Sequence, residues 1–223
     1  MTKVSFIFDK EKELYNLWET VNSQKSYGFD FSKKISDKII ALFKNKNFED
    51  SKNQVEKLNN HLYESAHLKE LAKVLETQWD KISKKFDEKL ELITGKKVMD
   101  KKADAFLISF GKCSYKPDEK YFFVSFLSNN LEIMRTTAHE LFHFHFHNYY
   151  FKSIEKRIGK PLAHDIKEAL TVLLNAEFKD LELATDKGYN KHKELREFII
   201  TQWNKEKNFD KLIEDCIIFV ASK

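Results

Sequence analysis

Apolar residues recur at three- and four-residue steps through Leu68, Leu71, Leu75, Trp79, Ile82, Phe86, Leu90 and Ile93. That spacing holds for about seven turns and predicts a long amphipathic helix ending near Gly95. Shorter stripes at Leu14, Trp18 and Val21, at Ile35, Ile39 and Leu42, and at Val55, Leu58 and Leu62 predict three helices before it. Residues 9–94 therefore read as all-helical, and these stripes, tryptophans included, read as core-facing positions.

The pattern changes after Gly95. Residues 105–110 and 121–127 are short aromatic and apolar runs separated by Gly111 and Pro117, which predicts two strands joined by a loop. Helical spacing returns at Leu131 and runs to about Phe151, then from about Pro161, a residue suited to a first helical turn, to Phe178. Two further helices are expected over 191–203 and 209–220. The expected fold is mainly α with a small β-sheet (α+β). It divides into an N-terminal helical lobe, 1–95, and a second domain, 96–223. The Lys96, Lys97, Lys101, Lys102 cluster at that boundary reads as a solvated connector.

Composition narrows the function. With only 5 Gly and 2 Pro in 223 residues, the chain lacks the turns of an all-β sandwich and the composition of a linker-rich protein. Isolated glycines exclude a dinucleotide fingerprint or a phosphate-cradling loop. Net charge is +4, and the 39 basic residues include Arg only at Arg135, Arg157 and Arg196. Lys and Glu alternating along helical faces indicate solvated surface, so no nucleic-acid partner is expected. Cys113 and Cys216 form no framework, and no long apolar run appears. A cytoplasmic protein with no membrane association is expected.

The chemistry concentrates in His139-Glu140-Leu141-Phe142-His143, an HExxH motif on an expected helix directly after a strand. At i, i+4 the two histidines stand about 40° apart in rotation and roughly 6 Å apart in rise, so both imidazoles can converge on one ion. Two neutral nitrogens so placed suit Zn2+. Glu140 is set to take a proton from a metal-bound water as general base. With 8 His and 21 Glu in the chain, roughly 0.03 accidental matches are expected.

On these residues the chain resembles the zincin metallopeptidases over about residues 104–180. The metzincin extension requires a glycine at position 146 and a histidine at 149, where this chain has Phe146 and Tyr149. The resemblance is therefore to the gluzincins, which take a Glu from the next helix. Glu168 fills that place, in a polar stripe with His164, Thr171 and Asn175. A solvent-facing carboxylate beside Lys167 is the alternative reading of Glu168, and Asp165 and His164 are alternative ligands or imidazole-orienting partners. The run Thr137 to Leu141, with His147 four residues past the second ligand, also resembles small intracellular bacterial zincins that cleave repressors. By helical rotation His147 stays near the metal face, whereas His145 points about 240° from His139.

The resemblance implies a zinc-dependent endopeptidase or aminopeptidase acting on a peptide or protein substrate. His139, His143 and Glu168 would hold zinc. A substrate chain would pair along residues 121–127. Tyr189 and His192 are the candidates for stabilising the oxyanion, with Tyr149, Tyr150 and Arg135 also within possible reach. The alternative function is a non-catalytic helical metal-binding or protein-interaction module.

Overall fold

The computed structural model describes residues 1–23, 35–55, 64–109 and 111–223. Strand β1, Lys3–Ile7, precedes helices α1, Lys10–Asn22, α2, Asp37–Phe43, and α3, Phe48–Val55. Helix α4, Ala66–Thr94, leads to β2, Lys102–Ile108, β3, Tyr115–Lys116, and β4, Tyr121–Ser125. The C-terminal part is helical. It comprises α5, Asn130–Phe146, a π-helical turn, His147–Phe151, and α6, Lys152–Ile158. These are followed by α7, Lys160–Leu170, α8, Val172–Glu177, α9, Lys193–Lys205, and α10, Phe209–Ala221. This is the mainly α architecture with a small sheet that the hydrophobic pattern indicates.

The stripes at Leu14–Val21 and Leu68–Ile93 become α1 and α4, Ile39 and Leu42 fall in α2, and of the third stripe only Val55, the last residue of α3, is described. Leu58, Leu62, Gly28 and Phe110 lie outside the described residues. Helix α4 ends where its spacing ends, with Gly95 in the left-handed conformation at φ 66° and its N–H bonded to the Glu91 carbonyl.

The strand order is β1-β2-β4-β3. β1 runs parallel to β2, β2 parallel to β4, and β3 antiparallel to β4. Alternation along the strands gives the sheet two buried faces. Ala105, Leu107, Phe122 and Val124 join the main core, while Phe106, Ile108, Tyr121 and Phe123 form a smaller cluster on the other side. Helix α1 lies over that second face, with Lys12 Nζ 4.1 Å from the Tyr121 ring centroid.

The strand Lys3–Ile7 corrects the expectation of an all-helical first lobe. Val4 and Phe6 enter the same core as Trp79, Phe86 and Leu90 of α4 and Ala138, Leu141 and Phe142 of α5. Trp79 Nε1 donates to the Thr2 carbonyl at 3.0 Å. The chain thus crosses Gly95 inside one core, and among the described residues of the first region Leu14, Leu17, Ile35 and Phe43 form a cluster of their own. Among the described residues, no helix is long and apolar enough to cross a membrane.

Candidate metal centre

Helix α5 positions the motif. Asn129 caps it, its side-chain oxygen accepting from the Glu132 N–H at 3.0 Å. Ile133, Met134, Ala138, Leu141, Phe142 and Phe144 are buried around it. Because the helix is enclosed on most sides, His139 and His143 are fixed by packing at one wall of a cleft of about 780 Å³. The chain then passes through the π-helical turn and α6, breaks at Gly159, and returns as α7, with Pro161 in its first turn. That return carries Glu168 to the histidines. An expected helix through Phe178 is interrupted at Thr171, between α7 and α8.

His139, His143 and Glu168 each offer one ligand atom, all within 4.8 Å of one another, and among the described residues this is the group that could hold a metal ion. His139 Nε2 stands 3.6 Å from Glu168 Oε2, and His143 Nε2 stands 3.4 Å from Glu168 Oε1. The imidazole centroids are 4.3 Å apart. His143 is buried, and neither of its ring nitrogens has a hydrogen-bond partner. Orphaned nitrogens inside a protein are costly unless something completes them. A cation beside His143 Nε2 does so, and two imidazoles with one carboxylate are a donor set that suits zinc.

A buried carboxylate stands behind the first histidine. Asp186 Oδ2 lies 2.7 Å from His139 Nδ1, which turns Nε2 toward the cluster. Asp186 is itself held: Arg196 reaches its Oδ1 at 3.0 Å and its carbonyl at 2.6 Å. Asn175 exchanges two 2.8 Å hydrogen bonds with its backbone. Gly188, at φ 63°, makes room for this brace, since a Cβ there would sit 2.7 Å from the Arg196 guanidinium carbon.

Electrostatics follow from this arrangement. Burial opposes charge on His139, but Asp186, helped by Glu168 and Glu140, lifts its imidazolium to about 10. Burial and then the Lys167 ammonium push His143 well below the usual histidine range. Burial of Glu168 works against its charge, yet His143 and Lys167 hold it well below the carboxylate range. Burial pushes Glu140 up to about 7, against the pull of His139 and Lys167. Its Oε2 has no hydrogen-bond partner, which leaves it available to receive a proton.

The remaining sequence candidates separate into two groups. Tyr189, His147, His164 and Asp165 line the cleft. Tyr189 is kept un-ionised by burial and by the Glu168 and Glu140 carboxylates. Asp165 bonds Lys191 at 2.8 Å and His192 Nε2 at 3.0 Å instead of joining the ligand cluster. His192 is buried under that contact and does not line the cleft. Tyr149 donates to the Lys97 carbonyl, Tyr150 to Asp210, and Arg135 points toward Asp186 at 4.0 Å. None of these three reaches the cleft lining. His145 faces away, bonded to Thr94 Oγ1 at 2.9 Å.

The expected substrate strand also moves. β3 covers β4 at Tyr121 and Phe122, and the cleft wall is the segment from Lys112 to Tyr115, with Pro117. Asp186, Arg196, Tyr115 and the buried Lys167 were not singled out from sequence. The only signal for Asp186 was that a ligating imidazole needs a carboxylate partner, and nothing in its irregular loop distinguished it.

Comparison of the chain with protein-family models, with curated proteins and with solved structures gives no match. Function is therefore read from the site itself.

Proposed function

We propose that the protein is a zinc-dependent peptide-bond hydrolase with a gluzincin-like site. The observation that supports this most is the convergence of His139, His143 and Glu168 within 4.8 Å at the wall of an open cleft. Glu140 stands beside them, buried, with an unpartnered oxygen.

His139, His143 and Glu168 would hold the ion, with Asp186 fixing the His139 tautomer. When bound, zinc supplies Lewis-acid chemistry, polarising a water and the scissile carbonyl. Glu140 accepts the proton of the attacking water and delivers it to the leaving amine, which its displaced carboxyl range near neutrality allows. Tyr189 is the cleft-lining donor for the developing oxyanion. A peptide would enter the cleft along the wall from Lys112 to Tyr115.

The test is metal analysis of untagged protein with cleavage of a peptide library before and after chelation. One equivalent of zinc and chelator-sensitive cleavage support the proposal. A chain that takes up no divalent metal contradicts it.

A further inference from the structure

We infer that Lys167 is a positioning residue that makes Glu168 a one-oxygen ligand; this rests on the reading of His139, His143 and Glu168 as a metal centre. Both Glu168 oxygens face imidazoles: Oε1 lies 3.4 Å from His143 Nε2 and Oε2 lies 3.6 Å from His139 Nε2. A carboxylate so placed can offer one oxygen or both to a single ion. The Lys167 ammonium decides between these, because its Nζ stands 2.6 Å from Oε1. The lone pairs of Oε1 are drawn to that cation, and Oε2 is left for the metal.

The ammonium is not a casual neighbour. Lys167 is 1% exposed although it lines the cleft, so its ammonium is enclosed by its partners at the cleft wall. Its other partner is the Tyr115 phenol at 2.7 Å, and Tyr115 stands 2.7 Å from His147 Nε2. An ammonium only donates, so the phenol oxygen accepts from Lys167. This gives a chain of contacts from His147 on the π-helical turn through Tyr115 on β3 to Lys167 on α7. Three separate elements thereby hold Nζ against Oε1.

Without a metal the ammonium compensates the buried Glu168 carboxylate, since removing one partner of such a pair leaves an unpaired buried charge. With a metal bound the cation already compensates Glu168, and what the lysine adds is the choice of ligand oxygen. One carboxylate oxygen and two imidazoles leave a fourth position open for water, as a catalytic zinc site requires. A two-oxygen carboxylate would crowd that position.

The experiment loads cobalt(II) into the full chain as a spectroscopic substitute for zinc. It records the visible spectrum and metal affinity of wild type, Lys167→Met and Lys167→Arg, with far-UV circular dichroism as the folding control. Wild type and Lys167→Arg are expected to show the intense visible bands of four-coordinate cobalt. Folded Lys167→Met is expected to lose intensity to the intermediate bands of a five-coordinate ion. A folded Lys167→Met that keeps the wild-type spectrum overturns the inference, and so does a five-coordinate spectrum in wild type. If Lys167→Met does not fold, the wild-type and Lys167→Arg spectra decide by the same criterion. Failure of wild type to bind cobalt or zinc overturns the metal centre itself, an outcome distinct from binding with the other geometry.

Discussion

His139 Nδ1 and Asp186 Oδ2 stand 2.7 Å apart although 47 residues separate them in the chain. The contact links the HExxH helix to an irregular loop after α8, and it sets which imidazole nitrogen faces Glu168. Arg196 and Asn175 hold the loop to that position.

Asp186→Asn removes the charge that orients His139. Carboxylate partners of ligating histidines typically contribute 10–100-fold in metal affinity, and a loss of about that size is expected with folding intact. Competition against a chromophoric chelator measures it. Unchanged affinity would show that Asp186 does not support the ligand.

Gly188→Ala is expected to act on the same brace from a distance. Its Cβ would meet the Arg196 guanidinium at 2.7 Å, and an alanine at φ 63° is strained in addition. A destabilisation of about 1–3 kcal/mol and weaker metal binding should appear together. If thermal melting and metal affinity both match wild type, Arg196 is not locked in place by the loop.

In the metal-free protein His145 and His147 withdraw stability as the medium becomes acidic, opposite in sign to His139 and Glu140, which are raised to about 10 and about 7. Burial, more than any neighbouring charge, lowers both His145 and His147 from 6.5 to about 4. Both are neutral in the folded chain and protonate more readily in the unfolded one. Their contribution is therefore full above about pH 6.5 and is lost as pH falls toward 4. Denaturant unfolding at pH 7.5, 6 and 5 should show wild type losing stability relative to His145→Gln as pH falls, the difference between the two slopes being the His145 contribution. An identical slope in the variant would remove His145 from the account.

The fragment 96–223 should not fold alone. It lacks β1, which pairs with β2 from Lys3↔Lys102 to Ile7↔Phe106, and it lacks Trp79, Phe86 and Leu90 from the main core. Circular dichroism of the fragment should show no cooperative melt. A cooperative transition would support the division at Gly95.

Local features were legible in the sequence and long-range ones were not. The spacing of Leu75, Trp79, Phe86 and Leu90 predicted α4, because one helical face repeats every few residues. The i, i+4 spacing of His139 and His143 likewise needs only local geometry. β1 escaped because Val4 and Phe6 are only two alternating apolar positions, and its partner β2 lies almost a hundred residues away. Lys167 reads as a solvated companion of Glu168, since a lysine is seldom buried. Only the meeting of α7 with Tyr115 encloses it.

The most direct test of the proposed hydrolase compares zinc content and peptide-library cleavage in wild type and Glu140→Gln. Removing a general base typically costs 10²–10⁴-fold in rate. The variant should therefore keep one equivalent of zinc and lose cleavage by about that factor. Cleavage that persists in Glu140→Gln, or zinc-loaded wild type that cleaves nothing, would contradict the account.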